Sequence, residues 1–139
     1  KVIGYCELCK IKKGVEIQKE HKKLILTAVV MLVLDGIFIS MYLGPKFVKM
    51  VESIQNAKVN MNMIMAIFAY VALVFQLYYF IIKDNRGLVD AFILGATSYA
   101  IFDFTNAALF AKYNMNIAIT DIVWGGSLYA LTTYIVNKI

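Results

Sequence analysis

The chain has 139 residues, of which 61% are hydrophobic and 17% charged, with a net charge of +5. Soluble domains are about 45–50% apolar even with glycine counted, and about 25% charged. These figures exclude a disordered chain and a nucleic-acid tail, and they leave too little polar surface for a water-soluble monomer; one small membrane domain remains.

Residues 1–23 hold seven lysines against Glu7, Glu16 and Glu20, and form a basic extramembrane segment. Within it, Val15-Glu16-Ile17-Gln18 alternates weakly, as a β-hairpin would. Four runs almost free of charge follow. Leu24–Gly44 carries only Asp35, Val59–Ile82 carries none, Gly87–Ala111 carries Asp90 and Asp103, and Asn114–Asn137 carries Asp121. A helix crosses the hydrocarbon core in about 20 residues. The predicted spans are therefore about 24–43, 61–82, 88–111 and 117–136. Gly44-Pro45 is expected to stop the first. Residues 45–58 read as an amphipathic helix with Phe47, Val51 and Ile54 on one face, suited to the membrane interface. Asp84-Asn85-Arg86-Gly87 and Tyr113-Asn114-Met115-Asn116 read as turns. Short connections favour antiparallel neighbours, so residues 24–139 are expected to be all-α, a four-helix transmembrane up-and-down bundle. Ala96 with Ala100, and Gly126 with Ala130, are spaced for close helix contacts.

Four spans put both termini on one side, with the N-terminal lysines, Lys83, Arg86 and Lys138. Lys46, Lys49, Lys58 and Lys112 fall on the other. The positive-inside rule places the termini in the cytoplasm or its topological equivalent. The basic segment is expected to touch anionic lipid head groups, at about 1 kcal/mol per lysine near the surface. No basic-aromatic surface outside the spans calls for nucleic acid. Lys1 is not a methionine, which points to a fragment or a processed form. No signal-peptide cleavage site is visible.

Asp35, Asp103 and Asp121 lie inside apolar runs that hold no lysine or arginine to pair with them. An ionisable group in a membrane costs at least about 2.5–3.5 kcal/mol on insertion scales. Counted from the cytoplasmic end of each span at 1.5 Å per residue, Asp35 stands near ~17 Å, Asp103 near ~23 Å and Asp121 near ~24 Å. Tyr99, Asp103 and Asn106 share one face of span three, and Asp121 and Trp124 share one face of span four. A buried polar cluster of Asp35, Asp103, Asn106 and Asp121, flanked by Tyr99 and Trp124, is therefore expected in the outer half. Carboxylates held close in a low dielectric cannot all ionise, and a protonated one would donate to Asn106 or to a second carboxylate. Such a cluster serves either as interhelical glue or as a cation or proton site. Gln76 reads as a helix–helix contact, and Trp124 as an interfacial anchor or as part of the site.

Phe102-Asp103-Phe104-Thr105-Asn106, then Asp121-Ile122-Val123-Trp124-Gly125, preceded by Leu34-Asp35-Gly36, resembles the signature of a bacterial family of small four-span membrane proteins. That family is a domain of unknown function, and the resemblance covers roughly residues 24–139. It implies an integral membrane protein and supplies no activity. Phe38 stands where the family often has tryptophan.

Cys6-x-x-Cys9 is one zinc knuckle's worth of ligands, and structural zinc takes four. Inert thiols, a zinc completed by a partner or a second copy, and a redox pair all stay open. His21, the only histidine, reads as a solvated residue. No phosphate loop, zinc-protease helix or nucleophile elbow is present, so no enzyme is expected. The reading is an integral membrane protein with a structural or partner-anchoring role, alone or as a homo-oligomer. Lysine outnumbers arginine thirteen to one, as in AT-rich genomes, which also allows a membrane component of a large DNA virus particle. The alternative is a small proton- or cation-coupled transporter or channel using the three aspartates.

Overall fold

The computed structural model describes the backbone from Val2 and the side chains from Ile11 to Ile139. The side chains of Cys6 and Cys9, and with them the zinc expectation, lie outside the described residues. Every element is helical, with no strand among the described residues. Helix α1 (Val2–Phe38) passes through a π-helical turn (Ile39–Leu43) into α2 (Gly44–Gln55). Helix α3 (Met63–Leu77) ends in a second π turn (Tyr78–Ile82), and α4 (Leu88–Leu109) and α5 (Met115–Lys138) follow.

Two local expectations are corrected. Val15–Gln18 is helical, not hairpin-like. A lone hairpin is marginal in water, whereas lengthening an existing helix adds a bond for each residue ordered. Glu16 and Glu20, each three residues before a lysine, favour that extension. The helix is also not stopped at Gly44-Pro45. The wide turn lets the Gly44 N–H donate to the Ile39 carbonyl, five residues back. A Cβ on Gly44 would stand 2.6 Å from that oxygen, so only glycine fits. Pro45 then falls in the first turn of α2, directly after the π turn has reset the hydrogen-bond register.

Asparagines punctuate the remaining chain. Asn62 accepts from the Ile64 and Met65 N–H groups at 3.1 and 3.3 Å and caps α3. Asn114 accepts from the Asn116 N–H at 2.9 Å and caps α5. Asn56 and Asn85 adopt left-handed φ values of 53° and 52° and end the preceding helical segments.

Helix α1 packs on α3 and α5, and α4 packs on α5 and α3, closing a four-helix ring. Met31, Leu77, Ile82 and Leu128 fill its centre. The outer surface is apolar: Phe68 is 63% exposed, Ile101 71% and Val89 71%. Water would not tolerate such a belt, whereas hydrocarbon solvates it. Three helical stretches are long and apolar enough to cross a membrane: Ile11–Gln55, Met63–Ile82 and Leu88–Leu109. Helix α5 is built differently. It buries nine of its 24 residues, among them Asp121, Thr132 and Thr133. As the helix most enclosed by its neighbours, it carries polar groups that lipid would reject.

The amphipathic α2 also departs from expectation. Its apolar residues Phe47, Met50 and Ile54 pack on Tyr113, Ala118 and Ile117 at the α4–α5 turn. The face expected to meet lipid instead covers one end of the bundle. Close packing of α4 on α5 centres on Gly95, Gly125 and Gly126, while Ala96 and Ala100 are half-buried beside it. The Phe92 ring rests on Gly126, where a Cβ would stand 2.8 Å from it.

Candidate functional site

Asp35 lies in the middle of the α1 span, 3% exposed. Both carboxylate oxygens accept hydrogen bonds from other helices. Tyr70 of α3 donates its hydroxyl to Oδ2 through a short contact. Trp124 of α5 donates its indole N–H to Oδ1 at 2.8 Å. The Trp124 ring stacks on Phe38, one turn beyond Asp35, with centroids 4.0 Å apart and planes 10° from parallel. Trp124 thus meets the Asp35 carboxylate across the bundle, and Phe38 provides the flat surface on which its ring rests.

Asp103 of α4 is fully buried. Its Oδ1 accepts from the Tyr113 hydroxyl at 2.6 Å. Its Oδ2 has no partner among the described residues. Helix α4 ends at Phe110 in extended backbone, and the chain then turns to aim the Tyr113 phenol back at the bundle. Burial first, then the bond to Asp103 and the charge of that carboxylate, push the Tyr113 phenol above the ordinary tyrosine range. Tyr113 therefore donates and Asp103 accepts. Replacing Tyr113 with phenylalanine leaves the Asp103 carboxyl with no donor, and should lower stability by about 1–2 kcal/mol. Thermal unfolding in detergent measures this, and an unchanged midpoint would remove Tyr113 from the site.

Asp121 of α5 is 8% exposed. The Tyr99 ring rests on Gly125, one turn beyond Asp121, and a Cβ there would overlap the ring. Among the described residues no hydrogen bond joins the three aspartates to one another; Asp35 and Asp103 are bonded to other side chains. Asn106, expected to accept from a protonated aspartate, makes no bond to one and gives its side-chain N–H to the Phe102 carbonyl of its own helix at 2.9 Å. The donors are aromatic side chains instead. Tyr70 and Tyr113 were missed because a tyrosine in an apolar span or turn reads as packing.

A second polar layer lies nearer the termini. The Gln76 amide donates to Ser98 Oγ at 2.8 Å, and its oxygen accepts from Tyr129 at 2.8 Å. This joins α3, α4 and α5, as the reading of Gln76 as a helix contact anticipated. Among the described residues, no group of three or more histidine, cysteine or acidic side chains is placed to hold a metal.

No curated protein and no solved structure matches the chain. One family does, over residues 21–137, from just before the apolar part of α1 almost to the end of α5, taking in Asp35, Asp103 and Asp121 with their aromatic partners. The chain belongs to that family, described as a predicted membrane protein, DUF2177.

Proposed function

We propose that this integral membrane protein has an architectural or partner-anchoring role. In this reading α5 is the fourth span, and carboxylate–aromatic bonds hold the bundle in register. The observation that carries it is Asp35, which uses both oxygens to tie α1 to α3 and α5. Such bonds fix which helices are neighbours more than they add stability, since membrane hydrogen bonds average only about 0.6 kcal/mol. Both termini lie on the cytoplasmic-equivalent side, where lysines concentrate. There residues 11–22 of α1 are exposed throughout and offer a basic helix to a partner, a second copy or anionic head groups.

A second reading is favoured by the Asp103 Oδ2, buried with no donor among the described residues. An acceptor buried without a donor is where a proton or cation would reside. A flux assay separates the two. In proteoliposomes the architectural role predicts proton and monovalent-cation leakage equal to that of protein-free vesicles. Flux that Asp103→Asn abolishes would replace it with a small transporter or channel.

A further inference from the structure

Where α1 bends into α2, two clefts meet at one residue. The first encloses about 480 Å³ between α2 and the start of α5. Lys46 and Lys49 line it from α2, and Lys112 from the α4–α5 turn. No acidic side chain lines it. Glu52, the carboxylate of α2, is engaged elsewhere, accepting from the Val59 N–H at 3.3 Å. Two of the ammonium groups are already positioned. Lys112 donates to the Ser53 carbonyl at 3.2 Å, and Lys46 stands 3.7 Å from the centre of the Tyr42 ring. Three cations lining one cleft without a counter-charge repel one another, and an anion bound in the cleft lowers that cost. Asn116 and Thr120 add uncharged hydrogen-bonding groups to the wall.

The second cleft, about 300 Å³, is almost wholly apolar. Leu34, Ile37, Phe38, Met41 and Trp124 line it together with Tyr42, which also lines the first. From Tyr42 to Leu34 is eight residues, so the groove descends about 12 Å along α1 into the apolar belt. A cationic, polar cleft at the end of the spans therefore shares one wall, Tyr42, with an apolar groove running along them. Phosphate joined to an acyl chain has this same division of chemistry. We infer that this corner binds an anionic phospholipid, with its phosphate among Lys46, Lys49 and Lys112 and one acyl chain lying against Phe38 and Trp124. The site is at the opposite end of the bundle from the basic N-terminal helix.

Trp124 is the sole tryptophan and lines the groove, so it reports occupancy directly. The full chain is reconstituted in phosphatidylcholine vesicles containing a minor fraction of lipid brominated on its acyl chains. Brominated phosphatidylglycerol should quench Trp124 at a mole fraction roughly tenfold lower than brominated phosphatidylcholine requires. The triple change Lys46→Gln, Lys49→Gln and Lys112→Gln should abolish that preference, while Lys19→Gln with Lys22→Gln at the other end should keep it. If the triple variant does not fold, each single change is read the same way and must weaken the preference. Equal quenching by the two lipids, or a preference that survives the cleft substitutions, would overturn the inference. Loss of the preference on adding glycerol phosphate, which has the phosphate without the chains, would assign the cleft to a soluble phosphate compound and overturn it too.

Discussion

Gly95→Val should unfold the protein at a markedly lower temperature, with a loss of about 3 kcal/mol. A Cβ at this position would overlap the Gly125 carbonyl oxygen and stand 2.8 Å from Cγ of Tyr129. The first obstacle is backbone and cannot rotate away, so α4 and α5 must separate. The second obstacle, Tyr129, is itself held across the bundle by its hydroxyl, which donates to Gln76 and the Leu73 carbonyl, so it cannot swing aside without losing those bonds. Gly36→Ala is the informative control. Gly36 follows Asp35 in the Leu34-Asp35-Gly36 motif, yet nothing lies within 4 Å of a Cβ there. Alanine is the better helix former by about 1 kcal/mol, so this change should be neutral or stabilising. Thermal unfolding in detergent, followed by far-ultraviolet circular dichroism, compares the two. A Gly95→Val protein that melts with the parent would show that the α4–α5 contact is not close.

The second large effect is expected at Asp35. Removing its side chain in Asp35→Ala strips the acceptor from two donors at once, Tyr70 and Trp124. The loss should be about 1–3 kcal/mol, the lower figure from average membrane hydrogen bonds and the upper from bonds to a charged group. Trp124 emission should shift as its N–H loses the carboxylate. Asp35→Asn should fall between, since an amide keeps one acceptor but turns a donor toward the other partner. Asp121→Asn should stay within about 0.5 kcal/mol of the parent, because among the described residues no side chain donates to Asp121. Equal effects at positions 35 and 121 would refute the view that Asp35 is the structural tie. They would favour a shared electrostatic role for the carboxylates.

These contrasts mark how much of the site could be read in advance. Asp35, Asp103 and Asp121 stand out because a carboxylate in an apolar run is costly wherever the helix goes. Their heights follow from the helical rise alone. Their partners do not. Tyr70 lies 35 residues from Asp35, and Trp124 lies 89. Nothing local to either aromatic residue distinguishes a donor from a packing ring. Asn106 shares a helix face with Asp103, but the Phe102 carbonyl one turn back in the same helix satisfies its amide locally. Gly44-Pro45 misled for a similar reason. Proline ends an α-helix by removing one bond in a ladder, and a π turn rearranges that ladder before the proline is reached.

The amino-acid sequence by itself determined that the protein is helical, that it belongs in a membrane, and where its costly charges lie. Each of these depends on residue type and on spacing within one segment, and short-range chemistry decides both. Only the tertiary structure decided that α2 covers the end of the bundle, that aromatic hydroxyls and an indole serve the carboxylates, and that a lysine cleft and an apolar groove meet at Tyr42. Those are relations between segments far apart in the chain. They arise when helices close enough to touch at Gly95 and Gly125 set which side chains face one another.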